Sequence, residues 1–329
     1  MPALLEAHQL SVRFRIRRRH WSRKPLFLSA VDGIDLSVRR GTTFGLIGES
    51  GSGKSTAALA MLRLVHASAG SVRLDGVELL TLPAPQLRAL RRRMQIIFQD
   101  PYSSLNPRST VGEILAEPLS IQGMGSRQER IGRVNELIPL VGLRPDQKAA
   151  LPHQLSGGQR QRVAIARALA TSPDLLICDE PVSALDVVIQ AQILNLLRRL
   201  QDRLGLTYLL ISHDFGVIHH MCDEIAVMYL GRIVEQGSKA EIFAKPLHPY
   251  TRALLAAAPR MAGEDDRETR AQAVLQGDPP SPIDLPRGCR FAGRCQYVME
   301  HCRNEQPRLQ SLGQRRVACH RVSAEGEFV

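Results

Sequence analysis

The sequence has no apolar run approaching the roughly 18 residues that a membrane-spanning helix needs, so work at a membrane would require partners that cross it. Its beginning, MPALLEAHQLSVRF, lacks a long apolar stretch after a basic start, and no signal peptide is expected. Cysteine is nearly missing from the first 245 residues, where Cys178 and Cys222 each stand alone. With no secretion signal the compartment is expected to be reducing. That favours metal ligation over disulfides for the four cysteines crowded into the last 45 residues. The sequence has no internal repeat.

What the chain does have is length, apolar content and positive charge. Its 329 residues suffice for one large domain or two ordinary ones, and 44% hydrophobic residues are enough for a sizeable core. The net charge of +11 is clustered: Arg13, Arg15, Arg17, Arg18, Arg19, Arg23 and Lys24 form one group, and Arg91, Arg92 and Arg93 another. Such groups suit a solvated basic surface or the neighbourhood of anionic lipid. No nucleic-acid motif accompanies them, and no nucleic-acid partner is expected.

From about residue 30 to 245, short β-like runs alternate with helical patterns, which predicts an α/β fold with a parallel sheet. TTFGLIG (42–48) reads as a buried strand and KSTAALAMLRLV as the helix after it. MQIIFQ (94–99), DLLICDE (174–180) and LTYLLISHD (206–214) read as further strands. Between the last two, Ile189, Ile193, Leu196, Leu197 and Leu200 recur at helical spacing. The stretch from about 101 to 160 is mainly helical in pattern and predicts a helical subdomain. After Lys245, Pro246, Pro249, Pro259, Pro279, Pro280, Pro282 and Pro286 break up regular structure. The expected organisation is a domain over 1–245 and an appended C-terminal extension over 246–329.

Residues 48–56, GESGSGKST, match G-x-x-x-x-G-K-[ST] between an apolar strand and a helix. Gly48, Ser50, Gly51, Gly53 and Thr56 belong to a loop whose N–H groups can curl around phosphate oxygens. Lys54 brings positive charge to the β- and γ-phosphates, and Ser55 offers a hydroxyl to Mg²⁺. The helix that follows adds the positive end of its dipole. The phosphates of a nucleotide and Mg²⁺ are therefore the expected occupants. LLICDE ends a second apolar strand in Asp179, suited to the Mg²⁺ shell. Glu180 beside it is placed to orient or deprotonate an attacking water. Cys178 lies at an apolar position and reads as a small buried hydrophobe, and Cys222 reads as packing.

LSGGQRQR (155–162) resembles the signature sequence of ATP-binding cassette (ABC) ATPases. Ser156, Gly157, Gly158 and Gln159 open a helical run, so their N–H groups and the helix end could receive a phosphate. In this family that phosphate belongs to ATP held by the other subunit, which implies a head-to-tail dimer with ATP and Mg²⁺ as cofactors. The resemblance extends further. Gln99 in IIFQDP matches the Q-loop glutamine that reaches Mg²⁺ and the attacking water. Ser183, Ala184, Leu185 and Asp186 match the D-loop at the dimer interface. His213 in ISHD matches the switch histidine on the γ-phosphate, and Phe14 is the candidate for stacking on adenine. The family fold implies a parallel core sheet, an antiparallel β subdomain and a helical subdomain.

IIFQDPYSSLNPR, LPHQLSGGQRQRVAIARALA, DEPVSALD and HPYTRALLAAAP are similar to the ATPases of dipeptide, oligopeptide and nickel importers, most of all to the second of their two ATPase subunits. The resemblance implies an ATPase coupled to peptide import, at the cytoplasmic face of the membrane. Its implied partners are a related ATPase subunit, two transmembrane permeases and an extracytoplasmic solute-binding protein. An ABC ATPase acting on nucleic acid or ribosomes is the alternative. The 55 residues between Gln99 and Leu155 leave room for a compact helical subdomain and none for the long coiled coil such proteins insert.

The last cysteines follow C-x5-C-x6-C-x16-C from Cys289 through Cys295 and Cys302 to Cys319. Four thiolates suit a [4Fe–4S] cluster or a tetrahedral zinc, though the spacing is neither a zinc knuckle nor a ferredoxin run. GCRFAGRC and VACH resemble a C-terminal region of peptide-importer ATPases, in which some members hold an iron–sulfur cluster. Free thiols remain the third reading. His301 and His320 adjoin cysteines and are alternative ligands.

Overall fold

The innermost strands arise where side chains that favour burial run without interruption: TFGLI and LLICD are buried at all positions, as strands covered on both faces require. The computed structural model describes residues 2–16, 26–257, 277, 280–323 and 325–328. Arg17, Arg18, Arg19, Arg23 and Lys24 of the first basic cluster lie outside the described residues, as do Pro259 and Pro279.

Described strands, in chain order, are β1 (Ala3–Ile16), β2 (Leu26–Arg39), β3 (Thr43–Ile47), β4 (Ala69–Leu74), β5 (Val77–Glu78), β6 (Met94–Ile97), β7 (Leu175–Asp179), β8 (Thr207–Ser212), β9 (Glu224–Tyr229), β10 (Arg232–Ser238), β11 (Gln310–Leu312) and β12 (Arg315–Val317). The helices are α1 (Lys54–Met61), α2 (Ala84–Arg91), α3 (Pro101–Ser104), α4 (Val111–Ile121), α5 (Arg127–Leu140), α6 (Gly157–Leu169), α7 (Val187–Leu204), α8 (Phe215–Met221), α9 (Lys239–Ala244), α10 (Pro249–Ala257) and α11 (Glu300–Asn304). The chain divides into two compact units.

One unit comprises Met1–Leu4, Val38–Thr42 and Thr81–Ile211. Its β6, β7 and β8 run parallel, with Ile97 opposite Cys178 and Asp179 opposite Ile211. Beside them stand the helices predicted over 101–160, and α6 continues nine residues further, to Leu169. Thr110 with Glu113 and Ser126 with Glu129 form capping boxes that fix where α4 and α5 begin. Helix α6 packs against α3, α4, α5 and β6, burying Val163, Ile165 and Leu169. Helix α7 buries Ile193, Leu194, Leu196, Leu197 and Leu200 and is stopped by Gly205 in the left-handed conformation. The predicted strand 94–99 ends at Ile97, because Phe98 and Gln99 lie beyond the last paired residue and are exposed.

The other unit comprises Leu5–Ser37, Thr43–Leu80 and Ser212–Val329. Strands in the order β2-β1-β4-β5 make a separate sheet, antiparallel at its β1–β4 and β4–β5 ladders. β3 runs parallel to β9, and β9, β10, β12 and β11 continue antiparallel. The described residues after 245 belong to this unit. Val317 of β12 pairs with Glu235 of β10, and Leu247, Val317, Cys319 and Val322 share one apolar cluster. Glu235 is fully buried, and its charge is matched by Arg315 and by the N–H groups of Leu247 and His248. Among the described residues no helix is long and apolar enough to cross a membrane.

Candidate active site

The phosphate loop lies between β3 and α1. Gly53 precedes the helix with φ 103° and ψ 4°, and a Cβ there would stand 2.1 Å from the carbonyl oxygen of Ala30. Only glycine meets both conditions. Lys54 is 5% exposed, and its Nζ donates to the carbonyls of Gly48 and Glu49 at 2.8 Å each. Ser50, Gly51 and Ser55 are exposed, while Gly48 is buried and Thr56 partly so. In the same unit, exposed His213 follows β8 and Asp214 caps α8. Phe14 sits near the end of β1 with 42% of its surface exposed, enough for a ring face to be available.

In the unit that carries β7, Asp179 ends the strand at 8% exposure, and Glu180 leaves it with φ 48°. A left-handed glutamate is uncommon and costs of order 1–3 kcal/mol, a form of strain that clusters at functional positions. Its N–H donates to the carbonyl of Ile211 at 3.0 Å, and Gln99 Nε2 donates to Glu180 Oε2 at 2.9 Å. Two of the residues singled out in the sequence, 81 positions apart, are thus in direct contact.

Ser156 caps α6. Its hydroxyl accepts from the Gln159 N–H at 3.3 Å, and Gln159 Oε1 accepts from the Ser156 N–H at 2.9 Å. A Cβ on Gly158 would lie 2.6 Å from Ile189 Cγ2, so glycine lets the first turn of α7 approach the first turn of α6. Ile189, at core spacing with the other apolar residues of α7, is only partly buried and packs on Gly158. Asp186 caps α7 by accepting from the Ile189 N–H at 3.0 Å.

All four C-terminal thiols lie in the unit that carries the phosphate loop, and none is in a disulfide. The Cys289 N–H donates to the Cys302 carbonyl at 2.7 Å. Burial pushes the Cys289 thiol up to about 11 and that of Cys319 up to about 12, and raises that of Cys295. The charges of the other cysteines act in the same direction: Cys319 senses Cys289, Cys295 and Cys302. Among the described residues no three His, Cys, Asp or Glu side chains are grouped as a metal site. His301 and His320 stack edge to face, with centroids 4.3 Å apart.

Three residues around the phosphate loop escaped the sequence reading. Glu49 lies inside the loop motif. Its N–H donates to the Tyr250 hydroxyl at 2.9 Å, and its carboxylate takes two hydrogen bonds from Arg294, at 2.7 and 3.0 Å. Tyr250 stands in HPYTRALL and Arg294 in GCRFAGRC. Nothing in either segment points to a partner some 200 or more residues away.

The ABC transporter family profile matches residues 31–183, and that of the oligopeptide/dipeptide transporter C-terminal region matches residues 234–302. A protein of Brucella ovis described as a peptide import ATP-binding protein is 48% identical over 309 residues, covering 94% of this chain and 96% of its own length. One of Brucella abortus with the same description is 47% identical over 296 residues, covering 90% and 87%. Among solved structures, an ATP-binding cassette dimer in a post-hydrolysis state with ADP and phosphate superposes with TM-score 0.63. It is 28% identical and covers 71% of this chain and 98% of its own. CbiO1 of Clostridium perfringens, part of an ABC transporter complex, gives TM-score 0.64 at 28% identity, covering 74% and 92%. The chain belongs to the ABC transporter ATPases, the ATP-hydrolysing subunits of these systems, and carries the C-terminal region of their oligopeptide/dipeptide branch.

Proposed function

We propose that this ATPase drives a peptide importer and that Glu180, held by Gln99, is the carboxylate that activates water for ATP hydrolysis. The carrying observation is the 2.9 Å contact between those two side chains at the end of a buried strand, beside Asp179. Lys54 and His213 are assigned to the γ-phosphate, and Ser55, Gln99 and Asp179 to Mg²⁺. When bound, that ion offsets charge on the β- and γ-phosphates. The loop from Gly48 through Thr56 cradles the phosphates, and Phe14 stacks on adenine. Ser156, Gly157, Gly158, Gln159 and Asp186 face the ATP of the opposing subunit. Ser156 and Gln159 are pre-set for this task by their reciprocal capping bonds.

A related ATPase subunit completes the dimer, two permeases supply the membrane path, and an extracytoplasmic binding protein selects the solute. The chain then works at the cytoplasmic face of the membrane, with residues 1–245 as the cassette and 246–329 as an extension. The naming of the Brucella relatives as peptide import proteins supports the solute class. Cys289, Cys295, Cys302 and Cys319 are the proposed ligand set for an iron–sulfur cluster, supported by the match of residues 234–302, which hold the first three, to the oligopeptide/dipeptide transporter C-terminal region. Anaerobic purification should give stoichiometric iron and a spectrum that Cys295→Ser alters. Absent iron and an unchanged spectrum would refute that assignment.

The functional test is uptake of labelled dipeptide, longer peptide and nickel in cells lacking the chain, complemented with wild type or Glu180→Gln. Peptide uptake restored by wild type alone is the expected outcome. Peptide uptake indifferent to the chain contradicts the proposal.

A further inference from the structure

Glu49 is gripped from three directions, and two of the grips come from chain far downstream. Its N–H meets the Tyr250 hydroxyl, its carboxylate meets both terminal nitrogens of Arg294, and its carbonyl accepts from Lys54 Nζ at 2.8 Å. The Arg294 side chain is only 6% exposed, so this is a largely desolvated, two-pronged pair. The segment that supplies it, Cys289 to Cys295, is itself anchored. Phe291 is 3% exposed and packs against Tyr229 and Tyr250 with centroid distances of 5.4 and 5.5 Å. Arg290 bonds to Asp32 and to the Leu230 carbonyl, and the next residue, Gly231, donates its N–H to the Ser52 carbonyl at 2.8 Å. The cysteine segment therefore reaches both ends of the turn 49–52, at one end through Arg294 and at the other through Leu230 and Gly231.

We propose that the Cys289–Cys295 segment, together with Tyr250 of α10, is a clamp on the phosphate loop, in which Arg294 and Tyr250 are positioning residues that set ATP affinity by fixing Glu49. The proposal rests on the reading of residues 48–56 as the nucleotide cradle. The residue that Arg294 holds also carries one of the carbonyls on which Lys54 rests, so releasing it loosens the lysine and the N–H groups that must converge on phosphate. A guanidinium fork is suited to this task in a way an ammonium is not.

The test uses the purified full chain and a fluorescent ATP analogue, comparing wild type with Arg294→Gln, Glu49→Gln, the double variant, Arg294→Lys and Lys54→Ala. Each single substitution at the pair is expected to weaken binding roughly 5- to 30-fold. The double variant should be no weaker than either single one, because both remove the same contact. Arg294→Lys should fall between wild type and Arg294→Gln, and hydrogen exchange at residues 49–52 should quicken in both Gln variants. Glu49→Gln nearly preserves side-chain shape and keeps the inference testable if Arg294→Gln does not fold. If folded Glu49→Gln or Arg294→Gln binds within about twofold of wild type while Lys54→Ala does not bind, the clamp is wrong and the cradle stands. The clamp also fails if the two losses multiply in the double variant. If Lys54→Ala binds normally, cradle and clamp both fall.

Discussion

Two glycines of the phosphate loop, both with positive φ, predict different costs for the same substitution. Gly51 has φ 78° and open space where a Cβ would go, so Gly51→Ala carries only the left-handed penalty, about 1–2 kcal/mol. Gly53 has φ 103°, and its Cβ would stand 2.1 Å from Ala30 O, 3.0 Å from Met228 Cε and 3.3 Å from Ala30 C. Met228 can turn its terminal methyl aside, but the Ala30 carbonyl is strand backbone and cannot. Backbone strain of about 1–3 kcal/mol and overpacking of about 1–3 kcal/mol then add, giving about 2–6 kcal/mol. The lowered entropy of the unfolded chain is common to both variants and cancels in the comparison. Urea unfolding of the two proteins, followed by circular dichroism, should place the Gly53→Ala midpoint clearly below that of Gly51→Ala. Equal midpoints would refute the claim that the Ala30 carbonyl imposes glycine at position 53.

Ser156→Ala removes the α6 cap and should cost about 1 kcal/mol of stability. If the hydroxyl also meets phosphate across the dimer, ATPase turnover should fall roughly 10- to 100-fold, which phosphate release in the assembled dimer would measure. His248 is 1% exposed, and burial, with help from the Arg252 charge, pushes its pKa down to about 3. It stays neutral in the folded chain while an unfolded histidine takes up a proton below about 6.5, so stability should fall as pH drops from about 6.5 towards 3. At pH 5 the loss from this residue is about 2 kcal/mol. His248→Asn, which retains an acceptor for the Tyr250 N–H, should show a smaller drop in denaturation midpoint between pH 7.5 and 5, and an equal drop would count against this origin.

The parts of the fold carried by local pattern were legible in the sequence. Strands TFGLI, LLICD and TYLLIS and the core stripe of α7 follow from burial and periodicity alone. The candidate site was legible where a motif is contiguous, as in GESGSGKST and LSGGQRQR. What escaped is what separate segments do to one another. Ile189 fits the periodicity of α7, yet it faces Gly158, because the approach of two helix starts is not encoded in either helix's spacing. The left-handed conformation of Glu180 gave no signal, since a glutamate is not expected there. The Arg294–Glu49 pair spans 245 positions, and each partner looks like an ordinary surface charge when read in place. The four C-terminal cysteines announced themselves by spacing, but the embedding of Cys319 in an apolar cluster with Leu247, Val317 and Val322 depends on β12 pairing with β10.

The central claim is that Glu180 activates the water that hydrolyses ATP. Glu180→Gln keeps a carbonyl oxygen to accept from Gln99, so the local fold should survive the exchange. Phosphate release and ATP binding should be measured on the same preparation of the assembled ATPase. The account predicts retained ATP affinity with turnover lowered roughly 10²- to 10⁴-fold. Hydrolysis at close to the wild-type rate in that variant would contradict it.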